Sequence, residues 1–260
     1  MNMKLLCLGP AGAGASLFSS WRDLGKLDLV PVCLPGREDR FLDEPLNGIE
    51  LIAEWVIERC IGGTEPYAMF GQCMGALVAY EILRSLQRRG GRIPEIVFLS
   101  GHRAPHLPQI EPRIAHLEDA DFLENVRTLG GTPEECFENE ELLELIMPAL
   151  RADFTACDEY VFQPGDPLRV PLVVLGGDED PYVSREALEA WRAYTTSFCK
   201  LELFPGDHFF YLRDSLSLVR TMERHLASLE PSRVASKKRL ENTCDPSPEC
   251  ENRPRVGQKR

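Results

Sequence analysis

The chain has 260 residues, 43% of them apolar and 27% charged, with 29 Lys/Arg against 41 Asp/Glu for a net charge of −12. That length and apolar content suit one large α/β domain or two small ones and exclude a wholly disordered chain, a collagen-like repeat and a coiled coil; no apolar run reaches the roughly 18 residues of a membrane span. An acidic balance is the wrong sign for tracking phosphates, so neither nucleic acid nor a membrane is an expected partner.

Residues 4–9 and 29–33 read as short buried strands ending at Gly or Pro. Between them lies a glycine-rich loop and a helix predicted over 17–24. A second helix is predicted over 49–59, with Ile49, Ile52, Ala53, Val56 and Ile57 on one face. Residues 67–71 form a strand, 74–88 a helix stopped by Gly90 and Gly91, and 96–100 another strand. The alternation then ceases: residues 105–165 read as acidic amphipathic helices broken by Pro and Gly. A strand at 172–176, a helix over 184–194, a strand at 200–204 and a helix over 216–229 resume it. Such alternation predicts a mostly parallel central sheet with helices on both faces. The helical block, about 102–169, carries 15 acids against 5 bases and reads as an inserted lid over the strand ends. Residues 1–229 are thus one domain. Residues 230–260, rich in Pro, Ser, Lys, Arg, Glu and Asn, read as a disordered tail.

The start of the chain is too quickly broken for a signal peptide. Nine cysteines occur with no C-x-x-C, which fits reduced thiols in a cytoplasmic protein and gives no zinc or redox motif. His102, His106, His116 and His225 lack ligand spacing, so no metal is expected.

Gly71-Gln72-Cys73-Met74-Gly75, between a strand and a helix, has the form G-x-S-x-G with Cys at the centre. In such a nucleophile elbow the turn is so tight that glycines flank the reactive residue, which is lifted to a helix N-terminus where thiolate is favoured. A bland alternative is a structural Cys in a glycine turn. Two further features weigh against it. Gly177-Asp178-Glu179-Asp180-Pro181 follows a strand where the α/β-hydrolase acid belongs, and Pro205-Gly206-Asp207-His208 follows the last strand where the base belongs. The expected roles are Cys73 as nucleophile, His208 as base and Asp180 as the acid that orients it. Asp180 is preferred to Asp178 because it sits deeper in its loop. The backbone N–H groups of Met74 and Ala11 are the expected oxyanion donors; Pro10 has none to offer. The loop Gly9-Pro10-Ala11-Gly12-Ala13-Gly14 lacks both a Walker ending and a G-x-G-x-x-G trio, so nucleotide binding is a minor alternative.

The assembled pattern resembles the type II thioesterases of nonribosomal peptide and polyketide synthesis, from about Leu5 to Leu229. The likeness rests on Pro10 to Ser16 followed by Phe18 and Trp21, on Leu34-Pro35-Gly36-Arg37-Glu38-Asp39-Arg40, on Leu129-Gly130-Gly131-Thr132-Pro133, on Met147 to Phe154, and on Gly206-Asp207-His208-Phe209-Phe210. The resemblance implies an α/β-hydrolase fold with a helical lid. It also implies hydrolysis of acyl or aminoacyl thioesters from the phosphopantetheine arm of acyl or peptidyl carrier domains, with no cofactor consumed; a monomer is expected.

At the centre the chain departs from the family's usual Gly-His-Ser-Met-Gly. An acyl-cysteine is itself a thioester, nearly isoenergetic with the substrate, so the acyl group can pass on to another thiol. Three readings follow. Hydrolytic editing leads, carrier-to-carrier acyl transfer is the alternative raised by Cys73, and a non-catalytic carrier-binding protein stands last. A dienelactone-hydrolase-like enzyme also uses cysteine, but the 34–40 and lid segments argue against it. The acidic lid face is expected to be avoided by an acidic carrier.

Overall fold

The computed structural model describes residues 3–241, with side chains through Leu229. Six strands form one sheet: β1 Lys4–Leu8, β2 Asp28–Pro31, β3 Tyr67–Gln72, β4 Val97–Ser100, β5 Leu172–Gly177 and β6 Cys199–Phe204. Their order is β2-β1-β3-β4-β5-β6 and every pairing is parallel. The inner strands β3, β4 and β5 read as near-continuous apolar runs because both of their faces are covered. Alternate residues serve the two faces. Leu6, Leu8, Met69, Leu99 and Val174 pack on one side, whereas Leu5, Cys7, Phe70, Phe98 and Leu175 pack on the other. The chain reverses direction across the sheet between β1 and β3. The carboxyl ends of these two strands therefore bound the crevice where such sheets hold their ligands.

Helix α1 (Ile49–Cys60) buries Ile49, Ile52, Ala53 and Val56; Ile57, expected on that face, is only half-buried. Helix α2 (Met74–Arg89) is buried along most of its length and is stopped by Gly90 in the left-handed region. The helix predicted over 17–24 is instead a 3-10 helix at Ala15–Trp21. Its two buried rings explain this: Phe18 and Trp21 are three apart, and in a three-residue turn they eclipse, so both meet Phe70, at 6.1 and 5.2 Å.

Between β4 and β5 the helical insertion is present. It comprises irregular chain from residue 101, then α3 (Asp119–Leu129), α4 (Glu134–Glu138) and α5 (Glu140–Glu159). It has a small core of its own, Ile114, Phe122, Val126 and Leu150. Phe122 is fully buried, edge-on to Phe154 at 5.5 Å and under the Arg151 guanidinium at 4.2 Å. Phe122→Ala should cost about 3 kcal/mol, the usual loss for a large buried ring. Because the cluster is confined to the insertion, limited proteolysis of the variant should cut within 102–169 well before the sheet. Cleavage spread over the whole chain would contradict that local packing.

After β5, α6 (Arg185–Glu189) begins at a Ser184 side-chain cap and tightens into a 3-10 helix at Ala190–Tyr194. A short α7 (Phe210–Arg213) precedes α8 (Ser215–Glu241). The backbone of α8 thus runs past Leu229, where the helix was expected to end. Residues 242–260 of the expected tail, with Cys244 and Cys250, lie outside the described residues. Among the described residues no helix is long and apolar enough to cross a membrane.

Candidate active site

Cys73 sits at the turn from β3 into α2 with φ 51° and ψ −114°, a conformation that costs a non-glycine residue on the order of 1–3 kcal/mol. The surroundings over-determine it. The Cys73 N–H donates to the Ser100 carbonyl at 2.8 Å. A Cβ on Gly71 would strike the Gly75 carbonyl, and one on Gly75 would strike the Leu8 carbonyl, so both flanking glycines are required by close backbone approach. The thiol is thereby raised at the carboxyl end of the sheet, half-exposed, at the N-terminus of α2.

His208 lies in the loop after β6, and its Nδ1 faces Asp180 Oδ2 at 2.8 Å. The carboxylate can only accept, so Nδ1 carries the proton. Asp180 Oδ1 accepts the N–H groups of Tyr182 at 2.8 Å and Val183 at 3.1 Å, which fixes the acid in its loop with no exposed side-chain surface. Asp178 is directed elsewhere and accepts from the Gly206 N–H at 2.9 Å. Burial alone would lower the His208 pKa. Hydrogen bonds to Asp180 and to Cys73, with the charges of both, outweigh burial and raise it to about 10. The structure thus bonds His208 to Asp180 and places Cys73 and His208 in the lining of one cavity.

Ala11 and Met74 line the same cavity as Cys73, and among the described residues neither backbone N–H is bonded to another protein group. The cavity holds about 590 Å³; Leu77, Leu150, Phe154 and Tyr182 contribute to its walls. It is thus roofed by the insertion (Leu150 and Phe154 belong to α5) and floored by the ends of β1 and β3.

Several residues that shape the site carry no local signal in the sequence. Gln72, nearly fully buried, donates from Nε2 to the His208 carbonyl at 3.5 Å. The rings of Tyr182 and Phe209 stand edge-on to the imidazole at 5.8 and 5.3 Å. Cys157 of α5 shares the cavity wall, and burial first, then the nearby Cys73, Asp153 and Asp158, push its thiol well above the ordinary range. A G-x-C-x-G pattern marks a turn but not the side chains packed behind it.

The other histidines are engaged separately. His102 Nδ1 meets the Arg103 carbonyl at 2.7 Å, and burial followed by the Arg103 charge holds its pKa down at about 3. His106 meets the Tyr194 hydroxyl at 2.7 Å, and His225 meets Glu202 at 3.0 Å. Among the described residues no three His, Cys, Asp or Glu side chains are grouped as a metal site requires.

A family model for the thioesterase domain matches residues 3–226. Linear gramicidin dehydrogenase LgrE of Brevibacillus parabrevis is 38% identical over 224 residues, 84% of this chain and 85% of that protein. Thioesterase PikA5 of Streptomyces venezuelae is 38% identical over 222 residues, 82% of this chain and 76% of that protein. Among solved structures, RedJ, the thioesterase from the prodiginine biosynthetic pathway in Streptomyces coelicolor, superposes with a TM-score of 0.76 at 36% identity, covering 85% of this chain and 84% of that one.

Proposed function

We propose that this chain, which belongs to the thioesterase family, is a type II enzyme that hydrolyses acyl or aminoacyl thioesters from the phosphopantetheine arm of carrier domains in nonribosomal peptide or polyketide synthesis. The observation that carries the reading is the His208 imidazole, bonded to Asp180 and lining the same roofed 590 Å³ cavity as Cys73. The pathway class comes from YbtT, a type II thioesterase from the yersiniabactin NRPS/PKS biosynthetic pathway, to which this chain is 33% identical with a TM-score of 0.77 over 86% of this chain and 92% of that one.

The steps follow from the residues. His208 takes the proton from Cys73, or pairs with its thiolate, and the sulfur attacks the thioester carbonyl. The N–H groups of Ala11 and Met74 receive the developing oxyanion. Collapse expels the pantetheine thiolate, which takes the proton from His208 and leaves an acyl-cysteine. Neutral His208 then accepts a proton from water as it attacks, and the Cys73 sulfur leaves with the acid released. Asp180 keeps the imidazole in the tautomer this needs.

No cofactor enters this scheme. The name of LgrE speaks of a dehydrogenase, but the scheme proposed for this chain places no dinucleotide at the loop over 9–14. The nearby N–H groups of Gly12, Ala15 and Ser16 already donate to carboxylates, Gly12 to Asp153 and the other two to Glu38.

Cys73 favours a second reading, in which a thiol of another carrier replaces water and the group is transferred. One assay separates the two: a carrier loaded with a labelled acyl group, the enzyme and a second empty carrier, followed by mass spectrometry. Free acid is expected, with label on the second carrier the sign of transfer. Neither product from any acyl group tested would sink both. Arg84, Arg88, Arg89 and Arg92, at or just beyond the end of α2, could meet an acidic carrier, but compensation of the helix dipole is the simpler reading. Arg84 pairs with Glu81 at 2.9 Å, Arg89 with Glu54 at 2.7 Å, and Arg92 lies over Tyr67 and donates to the Gly63 carbonyl.

A further inference from the structure

Arg37 and Asp153 form a buried ion pair that the catalytic scheme does not use. Arg37 lies in the segment after β2 and is 7% exposed; Asp153 projects from α5 and is fully buried. The pair is bidentate, Nη1 to Oδ2 at 2.7 Å and Nη2 to Oδ1 at 2.9 Å. Each partner also holds the glycine-rich loop after β1. Asp153 Oδ2 accepts the Gly12 N–H at 2.7 Å, and Arg37 Nη1 donates to the Ala13 carbonyl at 3.2 Å. Arg37 Nε and Nη2 donate to the Pro35 carbonyl, both at 3.4 Å, which anchors the guanidinium to its own segment.

The chain of constraint ends at Ala11. The Ala13 N–H donates to the Pro10 carbonyl at 3.1 Å. That carbonyl and the Ala11 N–H belong to one planar peptide unit and point in opposite directions. Fixing Gly12 and Ala13 therefore fixes the plane that carries the Ala11 N–H.

We propose that Arg37 and Asp153 are positioning residues. By holding Gly12 and Ala13 they let helix α5 of the lid set the aim of the Ala11 oxyanion donor. This rests on the reading above, in which Ala11 N–H receives the oxyanion. A bland role for the pair would be to join the lid to the domain. But a buried ion pair is a weak source of stability, and well-packed apolar residues often replace one at no loss. The two roles therefore separate experimentally.

The substrate for the test is the hexanoyl thioester of N-acetylcysteamine. Asp153→Asn, which weakens the pair, and the double variant Arg37→Met with Asp153→Leu, which replaces it with apolar side chains, are compared with the wild type. In both, kcat should fall on the order of 10²-fold, the usual effect of a small misplacement at a reacting centre, with KM nearly unchanged. The double variant should regain a wild-type melting temperature without regaining kcat. Alkylation of Cys73 by iodoacetamide should keep its wild-type rate in both, since that displacement forms no oxyanion. Recovery of kcat together with melting temperature, or alkylation falling in step with kcat, would overturn the inference while leaving the thioesterase reading intact. A wild type that hydrolyses no thioester, or does so equally well after Cys73→Ala, would overturn both.

Discussion

Cys73→Ala is expected to lower hydrolysis of an acyl-loaded carrier by at least about 10³-fold, the scale on which losing a nucleophile acts. The substitution leaves the elbow itself intact. Alanine keeps the Cβ already accommodated at φ 51°, and the bond from the residue 73 N–H to the Ser100 carbonyl involves backbone alone. The melting temperature should therefore change little. No other thiol stands in. Cys157 shares the cavity, but burial and its acidic neighbours keep it protonated, and a neutral thiol is a poor nucleophile. Rapid quenching of the wild type should trap an acyl adduct on Cys73 and none on Cys157. An adduct on Cys157, or substantial activity in the alanine variant, would remove Cys73 from the mechanism. Cys73→Ser adds a second discrimination. An acyl-serine ester lies lower in energy than the substrate thioester, so return of the group to a thiol becomes uphill. Whatever transfer the wild type performs should then fall more steeply than hydrolysis.

How far the sequence speaks for this site depends on the range of the interactions. The inner strands β3, β4 and β5 are legible because each is buried on both faces, whereas the edge strands β2 and β6 are only partly buried. The elbow is legible because its geometry demands two glycines in five residues. Asp180 and His208 are legible by their place after particular strands, and the sheet order puts those strand ends side by side. The helix expected over 17–24 is a 3-10 helix instead, where the spacing of three between Phe18 and Trp21 sets both rings on one face. Apolar periodicity stops at Leu229, where α8 is expected to end, while its backbone continues to Glu241. The pairing of Arg37 with Asp153 left no trace in periodicity or spacing. Both residues lie within segments that carried the family likeness, yet a likeness assigns no partner. A buried bidentate pair across 116 positions is visible only once α5 has folded over β1.

Asp180→Asn is the second large effect, expected to lower kcat by about 10³–10⁴-fold through the wrong imidazole tautomer. The amide oxygen of the asparagine can still accept from the N–H groups of Tyr182 and Val183, so the loop should hold. Its NH2 would then face His208 Nδ1, which must accept instead of donate. The imidazole proton moves to the other ring nitrogen, the one toward Cys73, and the base can no longer take a proton there. Stability should change with pH in a fixed sense. In the wild type, burial lowers the His208 pKa, but Asp180 and Cys73 together raise it from 6.5 to about 10. A raised folded pKa stabilises the protein fully below 6.5 and ceases to do so as pH rises through about 10. With Asp180 replaced, two of the raising influences vanish and burial remains, so the folded pKa falls. The destabilisation measured by urea unfolding should therefore be largest below about pH 6.5 and shrink toward pH 10. An NMR titration of the His208 ring should show its midpoint moving down in parallel. A cost that is the same at both ends of this range would mean that His208 is not held protonated by Asp180.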